Sequence, residues 1–222
     1  MSFSIAIDGP AGAGKSTIAR KVAGELSFIY VDTGAMYRAM AYYFLQLGLK
    51  ETDTEKIKEA VAHADVSICY ENGEQKVMLN GSDVTPFIRS EEVGNMASKS
   101  SPIPEVRAKL TQLQKDLAAR ENVVMDGRDI GTCVLPQAQV KIYLTASAHT
   151  RACRRYKELL EKGVSGKSLE QIEADIEERD YRDMHREVSP LCQAEDAVLV
   201  DSSDLSISEV VDCILAIVKK AE

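Results

Sequence analysis

Short apolar runs rich in β-branched residues alternate along the chain with longer segments in which apolar residues recur at helical spacing. The apolar runs predict five buried strands, at residues 3–7, 28–31, 123–125, 140–144 and 197–200. The longer segments predict six helices, at residues 16–26, 35–47, 104–120, 147–162, 168–184 and 207–218. Alternation of this kind is typical of a parallel sheet covered on both faces. The pattern therefore predicts an α/β fold with three layers, α/β/α, around a central parallel five-stranded sheet.

Helix boundary signals support these assignments. Pro104 suits the first turn of a helix, where its missing N–H is not needed. Ser168 with Gln171, and Ser206 with Glu209, have the spacing of a capping box. We therefore expect helices to begin at these three places.

One region, residues 66–85, breaks the alternation. Its short β-prone runs are separated by Asn72-Gly73 and Asn80-Gly81, which are strong signals for hairpin turns. We predict a small antiparallel β insert of two or three strands, set between helices. The pattern alone leaves open whether this insert is only a surface excursion.

Composition restricts the class of protein. The chain has 222 residues, enough for one large α/β domain, with 45% hydrophobic and 28% charged residues. It contains no apolar run of the roughly 18 residues that a membrane span needs. The N-terminal segment is predicted to be a strand and not a signal peptide, so we expect a cytoplasmic protein. The five dispersed cysteines fit reduced thiols better than a disulfide framework.

The charge distribution narrows the choice of ligands. The net charge of −8 argues against general nucleic-acid binding. Positive charge is nevertheless concentrated locally, because six of the twelve arginines lie between residues 151 and 186. Small anionic ligands therefore remain compatible with the sequence.

The segment GPAGAGKST matches the phosphate-binding pattern G-x-x-x-x-G-K-[ST] between a predicted strand and a predicted helix. Its glycines let backbone N–H groups turn toward phosphate oxygens, and the following helix adds positive partial charge. We predict that this P-loop binds ATP, with Lys15 at the β- and γ-phosphates and Ser16 at Mg²⁺. The predicted nucleotide-binding residues are Gly9, Pro10, Ala11, Gly12, Ala13, Gly14, Lys15, Ser16 and Thr17.

Two aspartates compete for the role of the acidic partner of Mg²⁺. Asp126 ends the apolar strand VVMD, the usual site of the carboxylate that orients the ion or its water. Asp8 ends the first strand, next to the P-loop, and is the alternative. We favour Asp126.

The arginines indicate a kinase and not a nucleotide-dependent switch. No N/T-K-x-D segment, which a GTP-dependent switch needs to read guanine, occurs. A kinase needs a second anion site and a cationic lid that excludes water. The predicted helices that carry Arg154 and Arg182, with the loop at residues 162–167 between them, form our candidate lid. The sign alternation in ERDYRDMHRE leaves a solvent-exposed role for Arg182 equally open.

No general base stands out near these motifs. A phosphate monoester with a second pKa near 6 is mostly dianionic at neutral pH and is itself a nucleophile. A site rich in arginine and poor in bases therefore favours a phosphate acceptor over an alcohol acceptor.

At the level of whole motifs, the chain closely resembles the bacterial-type cytidylate kinases, within the nucleoside monophosphate (NMP) kinases. The resemblance spans nearly the whole chain and rests on IAIDGPAGAGKST, VDTGAMYRA, DGRDIGT, ERDYRDMHREVSPL and DSSDLSISEV. It implies a P-loop NTPase fold with an NMP-binding region and a helical lid. The β insert matches the extra small sheet in the NMP-binding domain of these enzymes.

The resemblance implies phosphoryl transfer from ATP to CMP or dCMP. The acceptor site it implies consists of the phosphate-gripping Arg38, Arg128 and Arg186, the base-reading Ser98, Arg107 and Asp129, the ribose-binding Arg179 and Asp183, and the adjacent Thr33 and Tyr37. An Asp at position 129 suits selectivity against UMP, because a carboxylate accepts from the cytosine 4-amino group that uracil lacks. Arg151 and Arg155 look like lid residues approaching ATP. Lys15, Asp126, Arg128 and Arg155 form the implied catalytic set.

These expectations describe one kinase unit over residues 1–222. We predict a core at about 1–35, 100–148 and 188–222, an NMP-binding region at about 36–99 and a lid at about 149–187. We expect a monomer with no nucleic-acid or membrane partner. The alternatives are a kinase of UMP or of a metabolite alcohol such as shikimate or dephospho-coenzyme A, and a nucleotide-gated regulatory ATPase.

Overall fold

The computed structural model describes residues 2–71, 73–161, 163 and 166–221. Eight strands lie in this part of the chain: β1 (Ser4–Asp8), β2 (Ile29–Asp32), β3 (Val66–Glu71), β4 (Glu74–Leu79), β5 (Ser82–Asp83), β6 (Val123–Gly127), β7 (Val140–Thr145) and β8 (Val198–Asp201). Five of them form a parallel sheet in the order β2-β6-β1-β7-β8, and the other three form an antiparallel sheet in the order β3-β4-β5. Both predicted sheets are therefore confirmed.

The same part of the chain contains eight α-helices: α1 (Lys15–Leu26), α2 (Thr33–Gln46), α3 (Thr54–His63), α4 (Glu91–Ser100), α5 (Pro104–Arg120), α6 (Ala148–Glu161), α7 (Leu169–His185) and α8 (Ile207–Ala221). A single π-helical turn, Ile130–Val134, follows β6. Pro104 begins α5, and both predicted capping boxes form at the starts of α7 and α8. The six predicted helices agree with the structure to within three residues at each end.

The parallel sheet separates two apolar clusters because successive side chains in a strand point to opposite faces. In β1, Ile5 and Ile7 join the cluster under α1 and α8, whereas Ala6 joins the cluster formed with α2, α3, α4 and α5. The three-layer α/β/α architecture follows from this division. It places the carboxyl ends of β1, β2 and β6 side by side at one edge of the sheet.

The β insert packs against the second of these clusters. Val77 and Leu79 of β4 are buried with Met36 and Met40 of α2. The turn between β4 and β5 has left-handed backbone at Asn80 (φ 49) and Gly81 (φ 79), as the Asn-Gly signal predicts. Asn72, of the other predicted turn, lies outside the described residues.

Two helices, α3 and α4, lie where the sequence pattern predicted none. In α3, the buried side chains of Ile57, Ala60 and Val61 have helical spacing, but the segment has only three such positions. In the chain, α3 precedes the β insert and α4 follows it, so the predicted placement of the insert between helices is confirmed.

The helices α6 and α7 pack against each other and form the predicted helix–loop–helix. Residues 162, 164 and 165 of its loop lie outside the described residues. No helix in the described ranges is long and apolar enough to cross a membrane. The division into a core, an NMP-binding region and a lid stays a prediction.

Candidate active site

The P-loop connects β1 to α1, and its shape depends on glycine. At Gly9 (φ 149) a Cβ atom would lie 1.9 Å from the carbonyl oxygen of Leu144, in the adjacent strand β7. Gly12 and Gly14 also adopt positive φ angles, of 78 and 86. These conformations expose the loop's N–H groups and lead directly into the N-terminus of α1, an arrangement suited to phosphate oxygens.

Lys15, the first residue of α1, is buried beside this loop. Its ammonium donates to the carbonyl oxygen of Pro10 at 2.7 Å. Burial, reinforced by the positive charge of Arg128, lowers the pKa of Lys15 from 10.5 to about 7. A phosphate bound in the loop would raise the pKa of Lys15 again and stabilise its charged ammonium form.

Asp126, at the carboxyl end of β6, lies next to the P-loop. It accepts hydrogen bonds from the hydroxyl groups of Ser16 at 3.0 Å and Tyr30 at 2.8 Å. Burial, together with the negative charge of Asp32 on the neighbouring strand, raises the pKa of Asp126 to about 6. A cation at this carboxylate would relieve that unfavourable charge.

Asp8, the alternative acidic residue, has a different set of partners. Its two carboxylate oxygens accept from the backbone N–H groups of Ile130 and Gly131 at 2.8 and 2.7 Å. It thus anchors the π-helical turn that follows β6. Since Ser16 contacts Asp126, the geometry favours Asp126 as the acidic partner of the P-loop hydroxyl.

A buried charge cluster lies around Asp129. Arg107 of α5 donates to Asp129 in a short ion pair, and Arg186 lies 3.5 Å from the other carboxylate oxygen. The guanidinium of Arg107 is 5.9 Å from the centroid of the Tyr37 ring. The structure thus brings three of the predicted acceptor residues, with Tyr37 beside them, into one group.

A second cluster contains Arg128, Arg179 and Asp183. Arg128 donates to Asp183 at 2.9 Å. Burial, and then repulsion from Arg128, lowers the pKa of Arg179 to about 10. The charges of Arg128 and Asp183 also act on Lys15, so this cluster faces the P-loop.

Three arginines of the predicted acceptor site have a buried nitrogen without a hydrogen-bond partner. Among the described residues, Arg38 Nε, Arg179 Nε and Arg186 Nη2 have none. Buried N–H groups are nearly always paired in folded proteins, and an unpaired one is unfavourable by about 1–3 kcal/mol. The arrangement therefore suits an anion that these arginines would bind together.

Ser98 lines the same cavity as two of the charged residues. It is half-buried on α4 and lines an open cavity of about 430 Å³ together with Asp183 and Arg186. Thr33, at the start of α2, instead donates to the backbone carbonyl of Asp126 at 2.7 Å. Thr33 thus joins β2 to β6 beside the P-loop.

The two lid arginines implied by the resemblance have different environments. Arg151 donates to the carbonyl oxygen of Ala11 in the P-loop at 3.0 Å and pairs with Asp180 at 2.7 Å. Arg155 is 47% exposed and pairs with Glu158 on the same helix. The structure therefore brings Arg151 to the P-loop but not Arg155, whose role stays a prediction.

Arg182 lies on the exposed face of α7, where it pairs with Glu178 at 3.1 Å. This is the solvent-exposed alternative that the alternating charges left open. Arg154, by contrast, ties α6 to the core through the backbone and side-chain oxygens of Ser202.

The sequence analysis missed Asp32 and its partners. Asp32 caps α2 by accepting from the Ala35 N–H at 2.8 Å, and its carboxylate pairs with Arg38 and Arg89. The side chain of Gln75 in β4 contacts both backbone polar groups of Asp32. An aspartate at the end of a strand, the signal that identified Asp126, was available at Asp32 as well.

Known proteins are similar to this chain in sequence or in fold. The sequence model of the family described as cytidylate kinase matches residues 5–220. A cytidylate kinase from Carboxydothermus hydrogenoformans is 52% identical over 214 residues, which are 96% of this chain and 96% of that protein. One from Ligilactobacillus salivarius is 50% identical over 218 residues, covering 98% and 97%. A solved shikimate kinase from Bacteroides thetaiotaomicron shares the fold, with a TM-score of 0.51 and 13% identity over 98% of each chain. This chain therefore belongs to the cytidylate kinase family.

Proposed function

We propose that the protein transfers the γ-phosphoryl group of ATP to the phosphate of CMP or dCMP, giving ADP and CDP or dCDP. The observation that carries the proposal is a set of buried arginine donors beside a P-loop. Among the described residues, Arg38 Nε and Arg179 Nε have no hydrogen-bond partner, and Arg186 Nη2 has a 3.5 Å ion pair with Asp129 but no hydrogen bond. A kinase that holds two nucleotides next to each other needs this concentration of positive charge, because both nucleotides and the transferring phosphoryl group are negative. Family membership assigns the donor as ATP and the acceptor as a cytidine nucleotide.

In this proposal the P-loop holds the ATP phosphates, with Lys15 at the β- and γ-phosphates. The acceptor phosphate lies among Arg38, Arg128 and Arg186. Because that phosphate is mostly dianionic at neutral pH, it attacks without a general base. The protein contributes alignment and charge neutralisation, the main requirements of phosphoryl transfer.

The base-reading role falls to Asp129, with Arg107 and Ser98. Asp129 is buried between two guanidinium groups, and a carboxylate can accept from an amino group but cannot donate to a carbonyl. This chemistry favours cytosine over uracil. The ribose contacts are assigned to Arg179 and Asp183.

Mg²⁺ fits the chain at Ser16 and Asp126. Both offer oxygen, the ligand that Mg²⁺ prefers, and the Ser16 hydroxyl lies 3.0 Å from the Asp126 carboxylate, so the two oxygens are close enough to share one ion. When bound, Mg²⁺ neutralises charge on the β- and γ-phosphates. The cytoplasmic location and the monomeric state stay predictions.

The test is a coupled assay of ADP release with ATP and Mg²⁺, in which the acceptor is CMP, dCMP, UMP, AMP, GMP, shikimate or none. We expect strong turnover with CMP and dCMP, weak turnover with UMP, and loss of turnover when Mg²⁺ is chelated. Turnover only with another nucleotide would overturn the base-reading assignment. Turnover with shikimate alone would favour the alcohol kinases, and acceptor-independent hydrolysis would favour a regulatory ATPase.

A further inference from the structure

Asp32 holds two arginines that differ in the strength of their contact. Its carboxylate, with a side chain only 5% exposed, accepts from Arg89 at 2.7 Å and from Arg38 at 3.2 and 3.4 Å. Hydrogen bonds between charged groups are strongest near 2.8 Å and weaken at longer distances. Arg89 is therefore the tighter partner and Arg38 the looser one.

The two arginines also differ in what else they face. Arg38 keeps a buried Nε without a hydrogen-bond partner among the described residues, and its charge acts on Arg179 in the acceptor cluster. Arg89 is 55% exposed and precedes α4. Arg38 can thus turn to an anion in the site while Arg89 stays where it is.

Turning Arg38 away has a consequence for Asp32. A buried carboxylate that loses its only cation is strongly destabilised, because burial raises the free energy of the charged form. Burial alone would raise the pKa of Asp32, but Arg38 and Arg89 together hold it below its usual value. Asp32 is also the neighbour of Asp126 across the strand pair β2–β6, so its charge bears on the P-loop side of the site.

We propose that Arg89 is a positioning residue that retains Asp32, so that Arg38 is free to bind the acceptor phosphate. Without Arg89, the carboxylate has Arg38 as its remaining cation, and phosphate binding must break a buried ion pair. This inference rests on the proposed function, and it adds a residue that does not touch the nucleotide.

The backbone of Asp32 is fixed independently of these charges. Gln75 accepts from its N–H at 2.8 Å and donates to its carbonyl oxygen at 3.3 Å. The carboxylate itself accepts from the Ala35 N–H at 2.8 Å, which holds it at the start of α2 when Arg38 moves. Arg38 can pair either with the Asp32 carboxylate or with the acceptor phosphate. Arg89 favours the phosphate, because it remains paired with Asp32.

The test is a double-mutant cycle of Arg89→Met and Asp32→Asn, with ADP release and CMP binding as readouts. We expect Arg89→Met to raise the KM for CMP about tenfold, with little change in kcat at saturating CMP or in the KM for ATP. Asp32→Asn removes the competing charge and keeps the cap, because Asn also caps helices. Adding it to Arg89→Met should restore the KM for CMP, and Arg89→Lys should recover part of it.

Binding measurements with cytidine provide a second readout. Since Arg38 is assigned to the phosphate, Arg89→Met should weaken binding of CMP but not of cytidine. The matched control is Lys58→Met, which removes an exposed i,i+3 ion pair with Glu55 on α3 and should change neither.

Two results would overturn the inference. If Asp32→Asn fails to restore CMP affinity in the Arg89→Met background, Arg89 acts on the nucleotide or the fold directly and not through Asp32. If cytidine binding falls as much as CMP binding, the effect is not on the phosphate. A wild-type protein without CMP-dependent turnover would instead remove the proposed function, and the inference with it.

Discussion

Replacing Lys15 by Met separates the function of the P-loop lysine from its effect on stability. The substitution keeps an unbranched side chain of similar length in a buried position but removes the ammonium. We expect kcat to fall by a factor of at least about 100, because a buried positive charge at the transferring phosphate is lost. We expect the fold to be retained because Met fits the same buried position, although the Pro10 carbonyl loses its donor and the buried carboxylates of Asp8 and Asp126 lose a nearby positive charge.

The magnitude of the stability effect follows from the pKa of Lys15. An unfolded lysine has a pKa of 10.5, and burial first, then Arg128, lowers the folded value to about 7. Between these two values the unfolded chain binds more protons than the folded chain, so this lysine makes the wild-type protein more stable as pH rises. The slope approaches about 1.4 kcal/mol per pH unit, or about 2 kcal/mol between pH 7 and pH 9.

The assay is urea denaturation of both proteins at pH 7, 8 and 9 without nucleotide. The free energy of unfolding of Lys15→Met, minus that of the wild type, should fall by about 2 kcal/mol across this range. Groups remote from Lys15 cancel in the difference, whereas the pKa values of Asp8 and Asp126 rise further without it, which adds to the fall. A difference that does not change with pH would refute the depressed pKa, and near-normal kcat would refute the P-loop assignment.

Two further predictions concern buried groups of the site. Asp129→Ala should raise the KM for CMP far more than the KM for ATP. It should also lower the free energy of unfolding by about 3–5 kcal/mol because Arg107 loses its buried partner. Asp129→Asn provides a milder variant, and an equal loss of affinity for both nucleotides would contradict base reading. Gly9→Ala should lower the free energy of unfolding in urea by at least about 3 kcal/mol, because its Cβ would overlap the Leu144 carbonyl. The control Gly24→Ala lies in a helix with open space around it and should be neutral or stabilising by about 1 kcal/mol.

The fold could be predicted from the sequence because its signals are local. Apolar runs and capping boxes each lie within a few residues, and they identified all five strands of the parallel sheet. The missed helices have short apolar faces that become buried only in the tertiary structure: α3 packs against α5 and α2, and α4 packs against α2. Their stability comes from tertiary packing, which sequence periodicity does not report.

The site was predictable where residues belong to a motif and less so where they meet across the fold. Lys15, Ser16 and Asp126 lie in motifs or at strand ends, and the structure brings them together. Arg89 meets Asp32 across 57 positions of sequence, a contact that depends on how the β insert docks. Arg155 lies one helical turn beyond Arg151 on the same side of α6. It is nevertheless exposed and pairs with Glu158, so the motif resemblance alone did not reveal its distance from the P-loop.

The docking of the β insert also affects how this protein behaves among copies of itself. β2 is the end strand of the parallel sheet, and such a strand normally presents free N–H and C=O groups that can recruit a strand from another chain. Here the Tyr70 hydroxyl donates to the carbonyl oxygen of Tyr30, and the Gln75 amide pairs with both polar groups of Asp32 much as a peptide bond would. Two side chains thus occupy the positions that an added strand would use, which protects this edge from aggregation.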